Sequence, residues 1–365
     1  MAGVTATIVS DLHLGTHGDF DLARSGEGAD RLVEAISEGE QVIVLGDLLE
    51  LRELPVRAVL DRARPTIERI GRATAGRRLT LVPGNHDYGL AGPWLERARF
   101  DGAEIGPEQE WPVRPEDGLA GRLAEWMPDT ELTLAYPGFR PRPDVYVTHG
   151  HYLDAHLSVP RVESIAAALI GRLSGRSDPR SVAEHEAMLS PLYSLLHSLA
   201  QHAAPEKLRS GTSLSRDVWA RVNGSGQGGA AGLLLGRVAI PGAVAVLNLA
   251  RIGHFRSALT GEELRRSGLR AMRSVVERIG VQSDYVIFGH THRAGPLPRD
   301  DPAEWELPSG SSLVNSGSWL HEPVLLGEDP ESNPYFPGAV VRLGEEGAPE
   351  PASALRGFAL PSASA

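Results

Sequence analysis

The chain has 365 residues, 41% of them hydrophobic, with a formal net charge of −11 and no cysteine. Its length suits one large globular domain or two with a sizeable core. The missing cysteine excludes disulfides, thiolate metal sites and a cysteine nucleophile. Residues 1–5 show no basic stretch leading into an apolar one, so no secretory signal is expected and the reading is cytoplasmic.

Five short apolar runs, rich in β-branched residues, read as buried strands: residues 6–9, 41–45, 79–82, 145–147 and 285–288. Each leads into a turn of polar residues. In chain order these are Asp11-Leu12-His13, Gly46-Asp47-Leu48-Leu49-Glu50, Gly84-Asn85-His86-Asp87, Thr148-His149-Gly150-His151 and Gly289-His290-Thr291-His292. Ligands in open α/β sheets gather beyond the carboxyl ends of strands, which aims all five turns at one edge of one sheet. Carboxylate and amide oxygens together with imidazole nitrogens suit divalent ions, manganese first, with iron or zinc as alternatives. Asp87 reads as a carboxylate that pins its own loop through backbone hydrogen bonds. Downstream, Asn315-Ser316-Gly317-Ser318-Trp319 follows Leu313-Val314, and Gly317 reads as a tight turn. His17, His156 and His321 stand outside any motif and read as surface or core histidines.

Between the fourth and fifth turns the chain changes character. Residues 155–280 carry a net charge of +7, whereas the remainder carries −18, an asymmetry that points to an anionic partner near the insertion. The insertion reads as helical: Ile165, Leu169 and Leu173 recur every fourth residue, and Met188, Leu192, Leu195, Leu196 and Leu199 every third or fourth. Ser181-Val182-Ala183-Glu184 and Thr260-Gly261-Glu262-Glu263 have capping-box form, and Leu264, Met272, Val275, Val276 and Ile279 mark a buried stripe on the last helix. Residues 224–232 read as a glycine-rich connection. The apolar run 233–249 is short and broken by Arg237, Pro241 and Asn248, so it is not read as a transmembrane span. A helix pair closing a cap is the favoured reading. The alternative is an apolar surface rimmed by Arg237, Arg251 and Arg256, able to hold a lipid phosphate at peripheral contact with the inner membrane surface.

The ordered set of five turns resembles the calcineurin-like metallophosphoesterase family, across residues 11–292. The resemblance implies an α/β fold: a four-layer α/β/β/α metallophosphoesterase sandwich. Residues 1–154 and 281–345 would form the core and residues 155–280 an inserted helical cap; residues 346–365, rich in proline, alanine, glycine and serine, read on composition as a loosely ordered tail. The resemblance further implies one metal held by Asp11, His13, Asp47 and His292, and a second held by Asp47, Asn85, His149 and His290, with Asp47 bridging. His86 would act as general acid or phosphoryl stabiliser. Glu50, where the family commonly has aspartate, would orient it. His151 would stand behind the ligands, and the Asn315–Trp319 stretch would support the site.

A helical cap with an apolar run also makes the chain similar in architecture to the UDP-2,3-diacylglucosamine diphosphatases. That branch commonly has arginine where this chain has His86. The activity expected is hydrolysis of a phosphoester or diphosphate bond by metal-activated water, on a lipid-linked or nucleotide diphosphate substrate. A cyclic-nucleotide or general phosphodiesterase is the alternative, ahead of a protein phosphatase or a non-catalytic scaffold. A core of net charge −18 discourages a nucleic-acid backbone as partner.

Overall fold

The computed structural model describes residues 4–18, 20–24, 26–157, 162–175, 178–202, 261–326 and 329–361. They divide into two compact units, one of Met1–His151, Leu196–Ala203 and Val281–Ala365, the other of Tyr152–Leu195 and Ala204–Gly280.

The first unit is built on two sheets. Its amino-terminal half alternates strand and helix: β1 (Val4–Val9), α1 (Gly26–Ile36), β2 (Gln41–Val44), α2 (Val56–Ala73) and β3 (Arg78–Leu81). Helices α3 (Gly92–Asp101) and α4 (Gly118–Trp126) flank β4 (Glu110–Pro112), and β5 (Glu131–Ala135) follows. Strands β1, β2, β3 and β5 pair in parallel, as short apolar strands joined by helical crossovers do. The second sheet starts with β6 (Gly138–Arg142) and β7 (Val145–Thr148), is completed by β8 (Tyr285–Phe288) and β9 (Ser312–Asn315), and runs in the order β6-β7-β8-β9. After the short helix α8 (Pro323–Leu326, numbered after the helices of the other unit), β10 (Ala339–Gly344) returns to pair antiparallel with β1.

One core lies between the sheets. It joins Ala6, Ile8, Ile43, Leu45, Val341 and Leu343 on one side to Phe139, Val145, Val147, Ile287 and Val314 on the other. Period-two alternation explains the selection, because every second residue of β1, β7 and β10 faces this layer. The five ligand-bearing turns therefore do not share one sheet. Three end strands of the seven-stranded sheet and two end strands of the four-stranded sheet. The aim at one sheet edge is corrected accordingly: runs that read alike locally are sorted into sheets by pairing partners far along the chain. Glu350–Ser353, placed in the loose tail on composition, forms β11 against β10, and Leu355 beyond it is fully buried. Backbone pairing along β10 and one apolar anchor order this stretch despite its proline and alanine.

In the second unit the described helices are α5 (Val162–Ser174), α6 (Val182–Gln201, whose last turns belong to the first unit) and α7 (Gly261–Ile279). Ser181 caps α6 by accepting from the Glu184 amide at 3.3 Å, while the Glu184 carboxylate reaches back to the Arg180 amide at 2.7 Å. Met272, Val275, Val276 and Ile279 form a buried stripe on α7. Both helices form where the spacing reads them, with Leu169, Leu173, Leu195 and Leu199 exposed. Thr260, residues 224–249, Arg237, Arg251, Arg256 and the Leu264 side chain lie outside the described residues. Among the described residues no helix is long and apolar enough to cross a membrane.

Candidate metal centre

The turns that follow β1 and β2 are laced together by backbone bonds. Asp11 N donates to Gly46 O (3.0 Å), His13 N to Asp47 O (2.8 Å) and Leu14 N to Leu48 O (2.9 Å). This lacing holds Asp11, His13 and Asp47 in the left-handed backbone region, at φ 52°, 45° and 51°. His290 and His292 share it, at φ 65° and 59°. Among the described residues these five are the non-glycine positions with positive φ, and all carry ligand chemistry. Such a conformation costs on the order of 1–3 kcal/mol each and survives only where the surroundings over-determine it, as at functional sites.

Glycines admit the close approaches. At Gly46 (φ +87°) a β-carbon would sit 1.9 Å from His149 Nδ1, and at Gly84 2.2 Å from Asp47 Oδ1. The Asn315–Trp319 stretch braces the same point across the two sheets. Ser316 and Ser10 share a hydroxyl hydrogen bond at 2.7 Å, Trp319 N donates to Asp11 O at 3.1 Å, and Asn315 Nδ2 donates to Gly289 O and Thr291 Oγ1.

The side chains converge in two groups, Asp11 with His13 and His292, and Asp47 with His149 and His290. His292 Nε2 lies 3.2 Å from His13 Nε2 and 3.3 Å from Asp11 Oδ1. Asp47 Oδ2 lies 3.8 Å from His13 Nε2 and 3.2 Å from His149 Nε2, so one oxygen faces both groups. Asn85 Oδ1 is 3.3 Å from His149 Nε2 and 3.0 Å from His290 Nδ1. The other Asp47 oxygen, Oδ1, accepts from His86 N at 2.9 Å.

Burial should make these ionised groups unfavourable, and mutual attraction overcomes it. Burial pulls the His149 pKa down, but Asp47 and then Asp11 lift it to about 9. Asp11 and Glu322 lift His292 against burial to about 10. Burial raises Asp11 and Asp47, yet the histidines facing them hold both below the ordinary carboxylate range. Asp11 Oδ1 is buried without a hydrogen-bond partner. Carboxylate, amide and imidazole ligand atoms converging at this density fit cations.

Three carboxylates stand behind these groups. Asp87 accepts from Leu48 N (2.8 Å) and Leu49 N (3.3 Å) on one oxygen and from Gly84 N (2.7 Å) on the other, tying the second turn to the third. Glu50 Oε2 lies 2.6 Å from His86 Nδ1 and 3.0 Å from His13 Nδ1. Glu322 Oε2 lies 3.1 Å from His292 Nδ1. His149 instead donates from Nδ1 to the Leu45 carbonyl at 3.0 Å. His151 packs near the His149 ring, with Nε2 3.1 Å from the Tyr136 hydroxyl, and joins neither metal group. His17 is half-buried and His321 is buried, and neither joins a group. His156 belongs to the second unit, where its Nε2 lies 2.8 Å from that of His185.

Glu322 and Arg52 went unread in the sequence. Glu322 has no motif around it and only follows the Asn315–Trp319 stretch by three residues. The Arg52 guanidinium Nη1 lies 3.3 Å from His86 Nε2. Arginine has no acceptor, so the proton in that contact belongs to Arg52 and the lone pair to His86.

A family model for calcineurin-like phosphoesterases matches residues 4–203, more than half of the chain. The chain belongs to the calcineurin-like phosphoesterase family. It is a metal-dependent phosphoester hydrolase with the two-sheet fold of that family. The match stops before Gly289-His290-Thr291-His292, which the geometry alone brings to the calcineurin-like site. No curated protein matches the chain. Among solved structures it is similar to a dimetal phosphatase from Danio rerio, with 16% identity, 94% of each chain covered and a TM-score of 0.34. It is also similar to a cold-active protein-tyrosine phosphatase of a psychrophilic Shewanella species, with 11% identity, 96% of this chain and 80% of that one covered, and a TM-score of 0.29. Likeness at these scores carries no argument about fold or substrate.

Proposed function

We propose that the chain hydrolyses a phosphoester or diphosphate bond with two divalent ions, manganese first. Asp11, His13, Asp47 and His292 would hold one ion. Asp47, Asn85, His149 and His290 would hold the other. The observation that carries this reading is the convergence of seven side chains from five turns and two sheets. When bound, the ions supply an activated water and neutralise charge on the phosphoryl oxygens.

The chain's own residues do the rest. Asp47 presents Oδ2 to both groups while the His86 amide fixes Oδ1, so its carboxylate plane is set before any ligand arrives. Glu50 holds the His86 ring by Nδ1, which turns Nε2 toward Arg52. Once a substrate has displaced the Arg52 contact there, His86 Nε2 takes up a proton from solvent, and the imidazolium held by Glu50 gives that proton to the leaving oxygen. With about a quarter of its side-chain surface exposed, His86 can meet a substrate that the buried ligands cannot reach.

For the substrate, the basic insertion and its apolar run favour a lipid-linked or nucleotide diphosphate, handled in the cytoplasm and at peripheral contact with a membrane surface. The competing reading is a cyclic-nucleotide or general phosphodiesterase, which needs the same metals and His86 but no such cap. Turnover with manganese on an aryl phosphate monoester, a cyclic nucleotide as the diester and a UDP-linked diphosphate separates them, with Asp47→Asn as the inactive control. Cleavage of the UDP-linked compound supports the first reading. Cleavage of cyclic nucleotides alone supports the second, and no turnover of any ester removes both.

A further inference from the structure

The loop after β2 makes one carboxylate oxygen serve two imidazoles. Glu50 is buried, and its Oε2 is 3.0 Å from His13 Nδ1 and 2.6 Å from His86 Nδ1. Its other oxygen accepts from Arg52 N at 3.0 Å, so the carboxylate cannot rotate without losing a bond. The two rings meet edge to face, their centroids 4.6 Å apart. A carboxylate that accepts from the Arg52 amide and faces two imidazoles serves both rings as an acceptor. Both Nδ1 atoms therefore carry protons, and both Nε2 lone pairs point away from Glu50. For His13 that direction is Asp11, Asp47 and His292; for His86 it is the Arg52 guanidinium.

We infer that Glu50 is a positioning residue for both jobs at once, orienting the metal-ligand candidate His13 and the proton-donor candidate His86 through a single shared oxygen. The inference rests on the two-metal reading above. A carboxylate behind a ligating histidine fixes its tautomer and raises its basicity, and losing such a partner typically costs about 10–100-fold in metal affinity. Side-chain length is what permits the double duty. Aspartate would withdraw the carboxylate by one methylene, and contacts of 2.6 and 3.0 Å on rings from two different turns cannot both follow it. A cation among His13, Glu50 and His86 is the rival explanation of the cluster. It would need His13 to bind metals through both ring nitrogens.

The test uses full-length wild type, Glu50→Gln, Glu50→Asp, His86→Ala and the Glu50→Gln/His86→Ala double variant. Manganese affinity of the metal-stripped proteins is measured by calorimetry. With manganese saturating, kcat is then compared on aryl phosphates with good and poor leaving groups. Glu50→Gln is expected to weaken manganese binding about 10–100-fold, whether or not His86 is present. His86→Ala alone leaves that affinity unchanged. At saturating metal, Glu50→Gln slows the poor-leaving-group ester selectively, and adding His86→Ala slows it little further. Glu50→Asp, folded with a wild-type melting temperature, loses at least one of the two properties.

The inference is overturned if Glu50→Gln leaves manganese affinity intact, if its rate defect multiplies in full with that of His86→Ala, or if wild type binds a third manganese that the variant loses. Manganese affinity is read without a substrate. An inert but tightly metal-binding protein would therefore sink the hydrolase reading while leaving the His13 arm of this one standing.

Discussion

Replacing Gly46 by alanine tests whether the site geometry is as tightly built as it looks. The new β-carbon would lie 1.9 Å from His149 Nδ1, 2.2 Å from its Cγ and 2.7 Å from its Cβ. His149 is fully buried, donates from Nδ1 to the Leu45 carbonyl and faces Asp47 Oδ2 at 3.2 Å, so the ring has nowhere to go without breaking a bond. Overpacking of this kind costs about 1–3 kcal/mol. Alanine at φ +87° adds roughly 1–2 kcal/mol of backbone strain. A total of about 2–5 kcal/mol corresponds, for a chain of 365 residues, to a fall in melting temperature on the order of 3–7 °C. If the ring swings away to relieve the clash, the stability loss shrinks, but Nε2 leaves Asp47 and one manganese is lost. Gly76→Ala is the control, since φ is +71° there and nothing lies within 4 Å. It should show the backbone penalty alone. Scanning calorimetry and manganese titration of the stripped proteins read both outcomes. A Gly46→Ala protein with wild-type melting temperature and two wild-type manganese sites would refute the reasoning.

His86→Ala should keep both manganese ions and slow poor-leaving-group esters by about 10²–10⁴-fold while sparing activated ones; uniform wild-type rates would remove its acid role. Glu322→Gln takes the carboxylate from behind His292 Nδ1 and should weaken one manganese about 10–100-fold by calorimetry, leaving the other in place. An unchanged titration would make Glu322 incidental. The histidine pKa values of about 9 and 10 set a pH dependence. Below those values His149 and His292 hold protons that a metal must expel, so manganese affinity should rise with pH up to about 9–10. Calorimetry at pH 7 in buffers of different ionisation enthalpy should show at least two protons released, and no release would contradict the assignment. The sign for folding is opposite. Both pKa values stand above the unfolded value, so the metal-free protein has this stabilisation in full below about 6.5 and loses it as pH rises through 9 to 10.

Strands β1, β2, β3, β7 and β8 were legible because each is a short apolar run that gives way to glycine, proline, serine or threonine. Residues 79–82 and 285–288 need no distant information to be read as extended and buried. Which sheet each strand joins was not legible, because β7 and β8 differ from β2 and β3 in their pairing partners and not in pattern. The ligand turns carried their chemistry in the residue types themselves. Glu322 did not, since a lone glutamate before a proline looks like any surface carboxylate until the fold brings it to His292. Leu195 and Leu199 show that helical spacing identifies the helix without fixing which of its residues are buried. The β11 strand was hidden by composition: Glu350-Pro351-Ala352-Ser353 has little strand propensity, and its order comes from the edge that β10 offers it.

The central claim is that the five turns grip two cations. Crystals of the full-length protein grown with manganese, with diffraction recorded at the manganese edge, test it most directly. Two anomalous peaks are predicted, one among Asp11, His13, Asp47 and His292 and one among Asp47, Asn85, His149 and His290. Absence of both peaks, or manganese bound elsewhere with these side chains turned apart, would contradict the account.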